Sequence, residues 1–465
     1  MDSSVDDVAF PTALPDLPSD WEYARLGELV EDRGICYGIV QPGVVSSQGT
    51  PVLRVNNIRN GRIDAADVLR VDPAVEAKFQ RSRLCGGEVL LTLVGTLGEI
   101  AIVPAAMSGW NVARAVGVVP VRKDIGSRWV AICLRSALCQ HCIRSWATTT
   151  VQATFNLRDV ANLPIPLPPT QIREAIAQIL GTLDDKIELN RRMNATLESI
   201  SRAIFKSWFV DFDPVRQKAA GQQPVGMDAQ TAAMFPDSFE DSEIGEVPKG
   251  WTVTVLEEVL EEIETGSRPK GGVSGYSAGV PSIGAESIVG LGIFDYSKTK
   301  FVPHDFYAAM TRGRIRSRDV LLYKDGGRPG EFEPHITLFG DGFPFAECAI
   351  NEHVYRLRAR TDYSQNLLYF WLSSDLVMDE MRVKGTGVAI PGLNSTQAKS
   401  LTTLRPPLDV AAAFNQRVEP AVAKILAACN ESRTLATLRD TLLPKVLSGE
   451  IRVPEAEQAV EEAIA

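Results

Sequence analysis

Arginine, lysine and asparagine carry most of the polar pattern of this sequence, and their spacing suits a polyanion. In RVNNIRNGRI, Arg54, Arg59 and Arg62 are interleaved with Asn56 and Asn57. Guanidinium groups neutralise phosphates or pair with guanine, and a carboxamide pairs bidentately with adenine in the major groove. The same Asn and Gly residues equally fit a turn. In RGRIRSRDV, Arg312, Arg314, Arg316 and Arg318 fall at every second position, so an extended strand would present all four on one face. The bland alternative is a solvated strand with carboxylate partners. Arg81 and Arg83 repeat the alternation in a shorter form. ETGSRPKGG, with Arg268 and Lys270, and DGGRPG, with Lys324 and Arg328 beside it, read as loops able to lie on a phosphate backbone. Gln152, Thr154 and Lys384 belong to TTTVQATFN and VKGTGVAIPGLN, segments that bring them close to the junction of each globular stretch with the long helix after it, and are further candidates for DNA contact.

Catalytic constellations are hard to find. The sequence has no G-x-x-x-x-G-K-[ST] loop, no G-x-G-x-x-G after a strand and no H-E-x-x-H. It also lacks an Asn- or Asp-Pro-Pro-aromatic tetrapeptide of the kind amino-methyltransferases use. One G-x-S-x-G surrounds Ser277, but Gly and Ser precede it where a nucleophile elbow needs a strand. The four His are not paired in sequence, and the seven Cys have no disulfide rhythm, which suits a reducing compartment. Cys133, Cys139 and Cys142 cluster beside His141, yet lack a fourth ligand at a zinc spacing and read as buried thiols. These absences argue against an enzyme and leave no metal site to propose.

The loops need a frame, and the frame is helical. From Thr170 to Asp211, Ile176, Leu180, Leu183, Ile187, Leu197, Ile200, Ile204 and Trp208 recur at helical spacing, with Asn190 interrupting a heptad seam. A lone Asn there costs stability and fixes register. About 38 residues at about 1.5 Å each make a rod of roughly 57 Å. A shift of 238 lays this stripe on Phe414, Val418, Ala421, Ile425, Ala428, Leu435, Leu438, Leu442 and Val446, so a second rod of matching period follows, with Pro420 expected to kink or restart it. The two are predicted to pack antiparallel.

The repeat extends beyond the rods. At a shift of 230, Trp21, Leu26 and Glu28 fall on Trp251, Leu256 and Glu258. Near the other end of each copy, at 238, Asn156 and Leu163 fall on Asn394 and Leu401. Each copy alternates short β-branched runs with Gly and Pro before a helical stretch. The expected class is therefore α+β: two similar mixed α/β domains separated by two long helices forming an antiparallel coiled coil. The expected boundaries are a disordered acidic 1–17, domains at 18–169 and 248–407, long helices at 170–212 and 408–449, a linker at 213–247 and a tail at 450–465.

The net charge of −10 looks wrong for a nucleic-acid binder until it is located. Residues 21–170 carry 16 basic against 12 acidic side chains, whereas the first 20 carry five acids and no base. Local patches, not totals, decide phosphate binding. An acidic N-terminus argues against a signal peptide, and no apolar run reaches a membrane span, so a cytoplasmic protein without membrane contact is expected.

With these residues in hand, the chain resembles the specificity subunit of type I restriction-modification enzymes. The carriers are the W-x4-L-x-E openings at Trp21 and Trp251, the P-P-x-Q-x4-I-A run at Pro168, Pro169, Gln171, Ile176 and Ala177, the stretch LDDKIELNRRMNATLESISRAIFKSWFVDFDP and the ending LRDTLLPKVLSGEIRV. The second copy has Asp409 where Gln171 would be matched. The resemblance implies two target-recognition domains, each reading half of a split, asymmetric site in double-stranded DNA, with the helices as ruler. It also implies two methyltransferase subunits using S-adenosylmethionine, and motor-nuclease subunits using ATP and Mg. No cofactor is then bound by this chain itself. A self-contained DNA modification enzyme and a coiled-coil scaffold without DNA recognition are the alternatives.

Overall fold

The computed structural model describes residues 14–41, 43, 45–149, 153–328, 330–385 and 391–464. Two compact units result, Met1–Lys186 with Thr434–Ala465, and Ile187–Arg433, so each boundary falls inside a long helix. Gln152 and the acidic residues 1–13 lie outside the described residues.

Each unit is built on one frame. Continuous apolar runs make fully buried strands. Val89–Thr92 and Val116–Val119 sit at the centre of a four-stranded antiparallel sheet ordered Cys36–Tyr37, Val116–Val119, Val89–Thr92, Ile100–Ile102. The other unit orders Leu260–Thr265, Val354–Ala359, Val320–Tyr323 and Ile336–Leu338 in the same way. A three-stranded sheet follows in both. Val45–Leu53 pairs with Leu69–Val71 antiparallel and Asn111–Val112 parallel, as Val280–Ile283 pairs with Lys300–Val302 and Ala349–Ile350.

A two-stranded ribbon ties the ends of each domain together just before its long helix. Glu22–Arg25 pairs with Pro164–Leu167, and Thr252–Val255 with Thr402–Arg405. Part of the polar punctuation is repeated too. Asn156 and Asn394 each cap a short helix, accepting from the Asp159 and Gln397 amides, which is what side-chain oxygens at N-caps do. Ser136 accepts from the Cys139 amide at the start of Ala137–Trp146.

The long helices span Thr170–Phe209 and Leu408–Leu447, 40 residues each. The second runs through Pro420 without a restart. Ile176, Leu180, Leu183, Asn190, Trp208, Phe414, Val418, Ile425, Leu435 and Leu442 are buried, while Ile187, Leu197, Ile204 and Leu438 are half-buried. Ile200 departs from the expected stripe and is 50% exposed. Within Ile187–Arg433, Asn190 Nδ2 donates to Glu431 Oε2 and Ser432 Oγ, whereas Asn194 Nδ2 reaches back to the Ile425 carbonyl. One index rises as the other falls, so the segments run in opposite directions.

Residues 213–247 are not the linker that their polar composition implies. They form helices Asp213–Ala219 and Ala229–Ala233 and the hairpin Phe239–Ser242 with Gly245–Pro248. Val215, Phe235 and Val247 are buried there, Phe235 against Trp208 at 5.0 Å between ring centroids. The expected tail likewise contains helix Val453–Ile464, with Ala456 and Val460 buried.

Candidate nucleic-acid interface

The asparagine-rich cluster divides. Asn57 is buried, accepting from the Arg54 amide and donating to the Asp64 and Asp67 carbonyls, so at this residue turn chemistry replaces base reading. Arg54 itself is engaged by Asp67 at 2.9 Å. Asn60 and Gly61, with φ of 51° and 80°, close a tight hairpin in which Arg59 faces Arg62. Two positive φ values are what such a two-residue turn requires. Asn56 and Arg59 are exposed, and Arg62 is half-buried. Gly61 leaves room for the Arg135 guanidinium, which pairs with Asp184 of the first long helix at 2.9 Å.

The four alternating arginines do not lie on a strand. Arg314 makes one isolated bridge, to Ala349, and the chain turns at Ser317–Arg318, where Arg318 takes φ 69°. Arg318 is spent on Asp341 and Glu419, at 2.8 and 2.5 Å. Arg314 donates to the Tyr307 and Ala308 carbonyls over the Tyr307 ring, and Arg316 lies 3.6 Å from Glu262. Arg312 is exposed. The common-face expectation fails because the period belonged to charge and not to burial, which is what sets strand register.

Other candidates are mostly held internally as well. Arg83 makes a bidentate pair with the buried Glu76 and holds that carboxyl below its usual range. Arg81 donates to the Arg33 and Ile35 carbonyls. Lys384 donates to Ser400 and pairs with Glu380, and Arg268 pairs with Glu352 at 2.8 Å. Lys324 pairs with Asp325 at 2.5 Å and lies over the Tyr355 ring. Lys270, Arg328 and Thr154 are exposed.

Residue type alone missed Arg114, Asp325, Glu352 and His353. Arg114 is exposed, and its guanidinium has no partner among the described residues. His353 Nδ1 lies 2.8 Å from Asp325 Oδ1, and Nε2 lies 3.6 Å from Glu352 Oε1. Their signal was position: each follows or precedes a strand whose repeat equivalent carries a different side chain.

Cys133, Cys139 and Cys142 are buried thiols, and burial pushes Cys139 up to about 12. Among the described residues, no group of three or more His, Cys, Asp or Glu is placed to hold a metal ion. No helix among them is long and apolar enough to cross a membrane.

Residues 18–199 match the family described as type I restriction modification DNA specificity domain. The type I restriction enzyme MjaIX specificity subunit of Methanocaldococcus jannaschii is 23% identical over 466 residues, covering 96% of both chains. Over nearly its whole length the chain is therefore similar to type I specificity subunits. Another type I specificity subunit, EcoBI of Escherichia coli, is 30% identical over 200 residues, 41% of this chain and 42% of its own. The crystal structure of the type I S subunit from M. genitalium shares the fold, with a TM-score of 0.51 at 14% identity over 94% of this chain and 99% of that one.

Proposed function

We propose that this chain is a type I specificity subunit that reads a bipartite, asymmetric DNA site, each repeat contacting one half, with the two long helices as an antiparallel coiled coil that sets the spacer. The observation that carries this reading is duplication of a complete frame: the same strand orders and the same capping asparagines occur twice, each copy followed by a 40-residue helix. Phosphate contacts give register without sequence information, so a spacer of indifferent sequence suits a ruler between two readers. A helix of that length spans roughly 60 Å, or between one and two turns of duplex at about 3.4 Å per base pair.

The exposed Arg59, Arg312, Arg328 and Lys270 are the cations best able to meet phosphate, together with Arg62 at the hairpin edge. Held pairs such as Arg268–Glu352 and Lys324–Asp325 must exchange partners to do so. The chain is non-catalytic in this reading and works in the cytoplasm. Two methyltransferase subunits dock on the helices and bring S-adenosylmethionine, and motor-nuclease subunits bring ATP and Mg.

Selection from a random duplex library by the full chain tests the proposal. Two fixed blocks of different sequence with a constant gap are expected. Deletion of four residues within 186–196 is expected to change that gap or abolish enrichment. A single block, no enrichment, or an unchanged gap after the deletion rejects the reading.

A further inference from the structure

Where the backbones of the two repeats match hydrogen bond for hydrogen bond, an exchange of apolar for charged side chains is informative. One such place exists in each unit, where three loops meet beyond the end of the central strand. In the first, the Leu93 amide donates to Ala115 O (2.8 Å), the Phe155 amide to Leu93 O (2.8 Å) and the Gly95 amide to Ala153 O (3.3 Å), with a bridge between Val94 and Thr154. In the second, the Lys324 amide donates to His353 O (3.1 Å), the Leu393 amide to Lys324 O (2.6 Å) and the Gly326 amide to Pro391 O (2.8 Å), with a bridge between Asp325 and Gly392. The three hydrogen bonds and the bridge correspond one for one under the repeat.

The side chains on this shared frame have unrelated chemistry. Leu93, Val94 and Ala115 are replaced by Lys324, Asp325 and His353, and the exposed Arg114 by Glu352. The second junction is a relay of charge: Lys324 on Asp325, Asp325 on His353 Nδ1, His353 Nε2 toward Glu352, and Glu352 on Arg268. The last contact is 2.8 Å but out of line for a hydrogen bond, so Glu352 Oε2 has no donor. The first junction has no such relay, and Arg114 stands unpaired among the described residues.

Two copies of one fold that distinguish two sequences must hold the backbone and vary the side chains at the reading point. Resting on the proposed function, we infer that these junctions are where each repeat reads bases. Val94, Arg114 and Thr154 determine one half-site, and Lys324, Asp325, Glu352 and His353 determine the other. The guanidinium of Arg114 matches the O6 and N7 acceptors of guanine. The carboxylates of Asp325 and Glu352 accept from the cytosine amine and disfavour the acceptor edge of guanine.

Library selection with full-length Arg114→Gln and Asp325→Asn, beside the unaltered chain, decides the matter. Each substitution is expected to relax base preference by about 10- to 100-fold at one or two positions of a single half-site, with the other half and the gap unchanged. Arg114→Gln lies on an exposed, unpaired side chain and carries the test if Asp325→Asn fails to fold. Wild-type preference retained in both half-sites by the folded variants overturns the inference while leaving the proposed function standing. No preferred site for the unaltered chain overturns both.

Discussion

The two units solve the same packing problem with different side chains. Around the second half of the first long helix, Phe205, Trp208 and Phe209 meet Phe414, and Trp251, Phe235 and Phe370 complete a set of interlocked rings. Under the repeat, Phe205, Trp208, Phe209 and Phe414 correspond to Leu443, Val446, Leu447 and Ile176, so the equivalent positions of the other unit are aliphatic, and all but the half-buried Leu443 are buried. Two further rings, Phe212 and Phe235, from the segment next to or within 213–247, are buried in the same cluster. A shared backbone frame therefore tolerates wide variation in core chemistry, provided the volume is supplied from somewhere. The capping asparagines Asn156 and Asn394 are the same in both copies, whereas other caps differ: Gly126, with no side-chain cap, stands where Ser364 accepts from the Leu367 amide.

The largest effect expected from this contrast is in the ring cluster. Trp208→Ala opens a cavity against Phe235 and Phe414 and costs about 3–5 kcal/mol, whereas Val446→Ala at the equivalent place costs about 2 kcal/mol. Hydrogen exchange followed by mass spectrometry reports the two units separately, and equal losses in both variants break the comparison. A smaller effect tests the conserved half of the contrast. Asn156→Ala and Asn394→Ala each remove one cap and are expected to cost about 1 kcal/mol apiece. A several-fold difference between them in denaturant titration means that the two caps are not equivalent.

What was legible in the sequence follows the same division. The repeat, both long helices, the buried seam and the equivalence of Asn156 with Asn394 rest on local periodicity or on residues with one structural use. Ile200 fits the helical period but faces outward, because a stripe wider than the contact leaves its edge exposed. The fold of 213–247 was hidden because its anchors, Val215, Phe235 and Val247, are few and far apart in a polar segment. The arginine candidates were legible as cations but not as free ones. Arg318 is claimed by Glu419, 101 positions away, and residue type cannot reveal a partner at that distance. The loop junctions escaped notice because their significance lies in a mismatch between equivalent positions, visible only once the backbone hydrogen bonds align them.

Asn190 offers the smallest change in stability and the sharpest question. It is 2% exposed, and the residue it meets, Ala428, is its own equivalent under the repeat. Its Nδ2 donates to Glu431 Oε2 at 2.7 Å and to Ser432 Oγ at 3.3 Å, so its polarity is satisfied. Asn190→Leu exchanges those hydrogen bonds for buried apolar surface, and Glu431, which is only half-buried, regains water. The two contributions are each about 1–2 kcal/mol and opposite in sign, so the net change is expected to stay within about 1 kcal/mol. Register is another matter, because a Leu in this seam accepts a shifted partner that an Asn refuses. The variant is therefore expected to melt within a few degrees of the unaltered chain yet select DNA sites with more than one gap length. A single unchanged gap assigns register to the aromatic joint instead, and a loss of several kcal/mol makes Asn190 a structural requirement of the helix pair.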